Sequence, residues 1–169
     1  MQGKNYRHSA GMPYTRKKYI GGNPQSKVAK FSTGQASSDY DVELQLVSAG
    51  KVQIRSNALE AARVAANKNL QAIGETNYYL LLKPYPHIVL KENRMIATAG
   101  ADRLSMGMRL SFGKPVGRAA RVNIDDVIML IRLSRANIEK AREALKTASS
   151  KLPMNTRINE VVLQKPASE

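Results

Sequence analysis

The chain has 169 residues, a length that favours one domain with a sizeable core. Its 27 lysines and arginines against 13 aspartates and glutamates give a formal charge of +14, an excess that indicates a nucleic-acid partner first and an anionic membrane surface second. The absence of cysteine excludes disulfides and thiolate metal sites and fits the cytosol. No apolar run approaches the roughly 20 residues of a membrane-spanning helix, and the polar first residues argue against a secretory signal.

Residues 1–38 form a strongly basic segment, with seven cations and no acid. Glycines and prolines interrupt it, and four aromatic residues are interleaved with its charges. Such a segment lacks the apolar surface to fold alone, so we expect an extended arm with cations on phosphates and rings on bases or protein. A solvated tail is the alternative, although regularly spaced aromatics argue against it. The cations are Lys4, Arg7, Arg16, Lys17, Lys18, Lys27 and Lys30.

Apolar alternation then predicts two short strands at 42–46 and 52–54, which could form a hairpin. Asn57, with Glu60 three residues later, is typical of a capping box. An apolar face repeated at three and four residues predicts a helix over 58–73, which Gly74 ends. Two cations on its other face, Arg63 and Lys68, are interpreted as solvated.

The second half continues with short apolar runs. They predict strands at 78–83, 88–90, 116–122, 127–133 and 158–163 and an amphipathic helix at 135–150. Asp125 and Asp126 are interpreted as turn residues, and His87 as a turn or packing residue. Strand pairs alternating with single helices predict an α+β fold, a two-layer sandwich of a mixed β-sheet with two main helices. We expect residues 39–165 to form this single domain, carrying the basic segment 1–38 as an extension.

A second basic stretch, residues 94–122, contains six cations and one acid. Glycine recurs in it, and no helical or strand period survives between Gly100 and Gly117. We therefore predict a long loop at 100–115. Loops of this length inside a compact domain are usually functional, and the charge of this one indicates that it binds phosphates. The alternative is a solvated surface loop whose arginines have no binding role.

No chemical motif in the chain indicates catalysis. Gly107 and Gly113 are separated by five residues rather than four, and Pro115 follows Lys114 where a phosphate-binding loop needs Ser or Thr. Nucleophile-elbow, zinc and calcium signatures are missing. We expect no catalytic residue, no metal and no cofactor.

The run AGADRLSMGMRLSFGKPVGRAARV, residues 99–122, resembles the signature of one ribosomal protein family. This is the universal large-subunit family sixteen, whose archaeal and eukaryotic branch is called L-ten-e. Residues 59–68, Tyr14-Thr15-Arg16 with Tyr19, and Pro86 to Leu90 also resemble the family, in order and spacing. The end at Glu169, without a longer C-terminal region, resembles archaeal members.

The resemblance implies a structural, non-enzymatic constituent of the cytoplasmic ribosome that binds large-subunit rRNA near the A-site tRNA and the peptidyl-transferase region. Its implied partners are this rRNA, tRNA near the A and P sites and neighbouring ribosomal proteins, with no membrane and no small-molecule substrate. The rRNA-binding residues that the resemblance implies are Arg7, Arg16, Lys17, Lys18, Lys27, Lys30, Arg118 and Arg121. The tRNA-proximal loop holds Arg103, Met106, Met108, Arg109 and Lys114.

Two other functions remain open on composition alone. An RNA-modifying enzyme would need convergent titratable residues, for which the sequence offers no set. An architectural DNA-binding protein would prefer duplex DNA over folded rRNA.

Overall fold

The computed structural model of the chain describes residues 2–13, 15, 17–37, 39–93 and 111–163. It contains eight strands, two α-helices and several short 3-10 turns within these ranges. The strands are β1 (Ser32–Gly34), β2 (Val42–Ser48), β3 (Val52–Arg55), β4 (Tyr78–Leu82), β5 (Ile88–Glu92), β6 (Lys114–Val122), β7 (Val127–Leu133) and β8 (Thr156–Val162). The helices are α1 (Ser56–Leu70) and α2 (Ile138–Ser149). The predicted α+β class with two main helices is confirmed.

The larger sheet has five strands in the order β1-β4-β7-β2-β8. The apolar run of β7 occupies its centre, hydrogen-bonded to β2 on one side and β4 on the other. Leu44 of β2, Ile131 of β7 and Leu80 of β4 lie in one row and are fully buried. A strand with apolar residues on nearly every position suits this place, because both its neighbours and the core cover it.

The smaller sheet has three strands in the order β3-β6-β5. The single sheet expected from the sequence is thus divided into two, and all described strand pairs are antiparallel. The predicted hairpin of β2 and β3 is wrong, since these strands lie in different sheets. The backbone N–H groups of Ser48 and Ala49, which would close such a hairpin, donate instead to the carbonyls of Asp126 and Asn155 at 3.0 Å.

The two helices pack on each other, and one core joins them to both sheets. The apolar face of α1 is fully buried at Leu59, Ala62, Ala66 and Leu70, and the side chain of Asn69 donates to Thr147 of α2 at 3.0 Å. The alanines of both helices leave room for close packing. A 3-10 turn, Gln71–Ile73, extends α1 to Gly74, whose φ of 95° confirms the predicted stop.

The predicted capping box of α1 is wrong. β3 runs directly into the helix, so Arg55 occupies the N-cap position and provides no side-chain cap. The carboxylate of Glu60 instead accepts a hydrogen bond from the backbone N–H of Ala29 at 3.2 Å and pairs with Arg63. A tertiary partner from the basic segment therefore replaces the local partner that the spacing suggested.

The basic segment contributes β1, a strand that the sequence pattern did not predict. β1 pairs with β4, placing Gly34 opposite Tyr79. Gly34 has a φ of +87°, and a Cβ there would lie 2.2 Å from the carbonyl oxygen of Tyr78. Only glycine fits this approach, because any side chain would collide with backbone.

The predicted loop 100–115 ends earlier than expected, because Lys114 and Pro115 already belong to β6. They pair with Glu92 and Lys91 beyond a register shift in β5. A proline can occupy a strand at such an irregularity because it loses no ladder hydrogen bond there. Pro115 therefore did not mark the boundary between the loop and β6. The rest of the predicted loop, 100–110, lies outside the described residues.

Candidate nucleic-acid interface

The basic segment lies along the face of the small sheet that points away from the core. Gln53 of β3 donates its backbone N–H to the carbonyl of Arg7 at 2.9 Å and its side-chain amide to that of Tyr6 at 3.0 Å. Arg121, paired with Gln53 across the sheet, donates to the carbonyl of Gly11 at 2.5 Å. Residues opposite each other share a face, so Gln53 and Arg121 hold the segment from one side.

Further along, the segment is attached to α1 and the large sheet. Val28 is buried in the core cluster, and Phe31 stacks on Tyr85 with ring centroids 5.6 Å apart. Tyr6 donates its hydroxyl to the carbonyl of Lys91 at 3.5 Å. The alternative of a solvated tail is therefore wrong for the described part of the segment, in which Tyr6 and Phe31 contact protein.

The predicted cations of the segment remain at the surface despite this packing. Arg7, Lys17, Lys18, Lys27 and Lys30 are exposed, as is Lys114 at the start of β6. Within the described ranges, none of the segment's six described cations, these five and Lys4, forms an ion pair. Five predicted site residues lie outside the described residues: Arg16, Arg103, Met106, Met108 and Arg109.

Arg118 and Arg121 of β6 are half-buried and point to opposite faces of the small sheet. Arg118 shares its face with Ala120, towards the core, while Arg121 faces the basic segment. The Nε atom of each guanidinium is buried and has no hydrogen-bond partner in the described structure. A buried donor without an acceptor is unfavourable, so both guanidiniums retain unused hydrogen-bonding capacity.

The described structure contains four ion pairs. Three of them lie away from the basic segment, and the fourth, within α1, involves Glu60, which also binds the segment. Arg132 pairs with Glu43 across β7 and β2 at 2.8 Å, Arg142 of α2 pairs with Glu160 of β8 at 2.6 Å, and Arg157 pairs with Asp125. Arg63 pairs with Glu60 at 2.6 Å, and its side chain is only 11% exposed. The interpretation of Arg63 as solvated is therefore wrong, while Lys68 is exposed as expected.

Two exposed aromatic rings carry a lysine over their face. The Nζ atom of Lys18 lies 4.8 Å from the ring centroid of Tyr19, which is 61% exposed. The Nζ atom of Lys91 lies 3.7 Å from the ring centroid of Phe112, which is 55% exposed. An exposed ring beside a cation can stack on a nucleobase while the cation meets a phosphate.

Two cations that the sequence analysis did not single out, Arg55 and Lys151, line cavities beside the basic segment. Arg55 ends a strand and Lys151 follows a helix, positions where a cation carries no sequence signal of its own. Only the fold brings them next to Arg7, Lys27 and Arg118.

Asp125, Asp126 and His87, the other titratable residues that the sequence analysis considered, lie in connections between strands. Asp125 and Asp126 lie in the turn before β7, where Asp126 accepts a hydrogen bond from the backbone N–H of Asn123 at 2.7 Å. His87 lies in the irregular segment before β5, and its ring Nδ1 contacts the carbonyl of Tyr85 at 3.1 Å. Within the described ranges, no group of three or more potential ligands is placed to hold a metal ion, and no helix is both long and apolar enough to cross a bilayer.

Glu60 connects the basic segment to α1, and its titration offers a test of that connection. Hydrogen bonds from Arg63 hold the pKa of Glu60 below its ordinary value of 4.5; partial burial opposes this shift, and the N–H of Ala29 adds to it. A carboxyl whose pKa is lowered by folding stabilises the fold above its unfolded pKa, and this stabilisation is lost as the pH falls through its folded pKa.

We expect Glu60→Gln to lower the free energy of unfolding by roughly 1 kcal/mol at pH 7. The difference from the unsubstituted protein should shrink as the pH falls below about 4.5, the ordinary pKa, and should vanish below the lowered folded pKa, where both proteins carry a neutral group. Urea unfolding across this range measures it, with Glu139→Gln on the exposed side of α2 as the control. A difference that stayed constant with pH would contradict the role given to the Glu60 carboxylate.

A two-sheet α+β scaffold to which a basic segment is bound, with six described cations that are exposed and form no described ion pair, is typical of nucleic-acid-binding structural proteins. Residues 9–159 match the family model described as ribosomal protein L16p/L10e. The chain belongs to this family of large-subunit ribosomal proteins, as its resemblance in sequence implied.

Three archaeal relatives, each named large ribosomal subunit protein uL16, support this membership. The protein of Metallosphaera sedula is 51% identical over 170 residues, 99% of this chain and 97% of the relative. That of Staphylothermus marinus is 53% identical over 154 residues, 90% and 88% of the two chains. That of Sulfolobus acidocaldarius is 50% identical over 169 residues, 98% and 96%. The chain is thus an archaeal-type structural constituent of the large ribosomal subunit, a component of translation rather than an enzyme.

Proposed function

We propose that the protein binds large-subunit rRNA near the A-site tRNA and the peptidyl-transferase region and supports the positioning of tRNA. The observation that carries the rRNA part is the row of exposed, unpaired cations on the basic segment: Arg7, Lys17, Lys18, Lys27 and Lys30. A cation that has no carboxylate partner is free to neutralise phosphate, and phosphate neutralisation contributes a large share of the affinity for nucleic acid.

The proposed rRNA-binding unit is the segment 1–38 together with the neighbouring cations of the small sheet. Arg16 belongs to it by its place in the sequence, and Arg118 and Arg121 as half-buried cations of β6 that form no described ion pair. The packed segment is a preformed surface rather than an arm that orders only on RNA. Preorganisation of this kind lowers the entropy lost on binding.

The tRNA part of the proposal concerns Arg103, Met106, Met108, Arg109 and Lys114. Its support is the sequence resemblance, together with the place of Lys114 and exposed Phe112 at the start of β6. The cations would meet tRNA or rRNA phosphates, and the methionines would supply adaptable apolar contacts. Chemistry at the peptidyl-transferase region would remain with the RNA.

We expect Arg103→Ala to slow peptide synthesis by reconstituted ribosomes severalfold while leaving the thermal unfolding of the free protein unchanged. The reason is that Arg103 is proposed to bind RNA and not to stabilise the fold. Arg135→Ala, at an exposed cation before α2, is the matched control and should leave synthesis unchanged.

Crosslinking in intact ribosomes provides the accompanying readout. Crosslinks from position 103 to tRNA or to rRNA near the catalytic region support the proposal. Crosslinks from it only to protein, or a loss of stability as large as that of a core deletion, would contradict it.

A further inference from the structure

Two cavities flank Arg55 at the beginning of α1. The first, of about 300 Å³, is lined by Lys27, Arg55 and Arg118 together with the first residues of the helix. The second, of about 270 Å³, is lined by Arg7, Arg55 and Lys151. No aspartate or glutamate lines either cavity, so five cations from four parts of the chain face two openings that share one arginine.

The backbone at this place adds to the positive potential. The first N–H groups of a helix have no intrahelical acceptor, and the helix dipole makes this end positive. α1 has neither a side-chain cap nor an acidic residue in its first turn, so nothing in the described structure neutralises it. Arg118, which lines the first cavity, also has a buried Nε that lacks an acceptor.

The cations around these two cavities have no carboxylate partner in the described structure, although other carboxylates of the chain form ion pairs elsewhere. Glu60, one turn into the same helix, is turned to Arg63 and Ala29 rather than to the cavity cations. Lys27 and Arg7 come from the basic segment, while Lys151 follows α2, so the fold itself assembles the group. An anion of external origin is the partner that this arrangement lacks.

We propose that the sugar-phosphate backbone of one RNA strand crosses the beginning of α1 and places a phosphate in each cavity, with Arg55 between them. The proposal rests on the rRNA binding proposed above and gives it a defined position. A polyanion suits the arrangement better than a free ion, because its linked charges can occupy both cavities at the entropic cost of one ligand.

The test compares two double variants of the full chain. Lys27→Gln/Lys151→Gln removes one exposed lysine from each cavity, and Lys68→Gln/Lys146→Gln removes the same charge from the exposed sides of α1 and α2. Affinity for protein-free archaeal large-subunit rRNA is measured from low to moderate salt. Each lost phosphate contact should flatten the plot of log affinity against log salt by about 0.7 to 0.9.

We expect the cavity variant to flatten the slope by about 1.4 to 1.8 and to lower affinity on the order of tenfold at physiological salt, with the control unchanged. Equal slopes for the two variants would overturn the cavity proposal, while wild-type binding to rRNA would leave the broader function standing. A wild-type protein that bound duplex DNA as tightly as rRNA would defeat the broader function, and the RNA site with it.

A measurement on the unsubstituted protein guards against an effect of folding. The Nε–H signal of Arg118 and the amide signals of residues 56–58 should shift when a short single-stranded oligoribonucleotide is added. Shifts confined to Lys17 and Lys18 would overturn the proposal, because RNA would then be held without these cavities.

Discussion

The triple variant Lys17→Gln/Lys18→Gln/Lys30→Gln should bind large-subunit rRNA on the order of tenfold to a hundredfold more weakly at physiological salt. All three lysines are exposed on the basic segment, and none forms an ion pair within the described structure. Their removal takes away phosphate contacts and no described salt bridge. Since none lies in the core, the temperature of unfolding should remain that of the unsubstituted protein.

Filter binding or fluorescence titration against protein-free rRNA at several salt concentrations measures this effect. The slope of log affinity against log salt should become less steep by about 2 to 3. Lys68→Gln/Lys140→Gln/Lys146→Gln carries the same charge change on the exposed helix surfaces and is the matched control. If the two triple variants lost affinity equally, only net charge would matter, and the assignment of the basic segment as the binding surface would be wrong.

The second large effect concerns the scaffold that holds this surface. Leu44→Ala should lower the free energy of unfolding by about 2–5 kcal/mol. Leu44 is fully buried in β2, between Ile131 of β7 and β8, so its loss leaves a cavity in the centre of the five-stranded sheet. Rigid strands on both sides limit how far the surroundings can relax into that space.

Urea unfolding followed by circular dichroism gives the magnitude. Val162→Ala, at a side chain that is 55% exposed in β8, is the control and should change stability by less than about 0.5 kcal/mol. A loss for Leu44→Ala no larger than for the control would show that the core is loosely packed, contrary to the complete burial of its residues.

The elements that could be predicted from the sequence are those whose signal is local. α1 and α2 have apolar faces at helical spacing, and the run of β7 is too short and too β-branched for a helix, so each position was close to correct. The pairing of strands is not a local property. Alternation in β2 and β3 showed that both are half or fully buried, yet it held no information about which partners would cover them.

Two of the misassigned features, the cap of α1 and the missed strand β1, share one physical cause, the basic segment folding back on the domain. Glu60 was expected to cap its own helix, but Ala29 and Arg63 are its partners. β1 has only three residues, Ser-Thr-Gly, whose composition is that of a turn. It becomes a strand because β4 presents a free edge and because Gly34 permits close approach to Tyr78.

For the proposed interface, net charge indicated the basic segment, since its seven cations without an acid are visible in the sequence alone. Arg55 and Lys151 were missed because each stands among ordinary neighbours and joins the site only through tertiary contact. Arg118 and Arg121 could be named from the sequence, but their opposite orientations follow from the pleat of β6 within a sheet that was not predicted.

One measurement tests the central claim most directly: reconstruction of the native archaeal large subunit at a resolution that separates single phosphates. We predict phosphate oxygens within hydrogen-bonding distance of Arg7, Lys17, Lys18 and Lys27, with the exposed side of α2 turned away from RNA. A subunit in which the basic segment and the small sheet faced solvent, while α2 and β8 carried the RNA, would contradict the account.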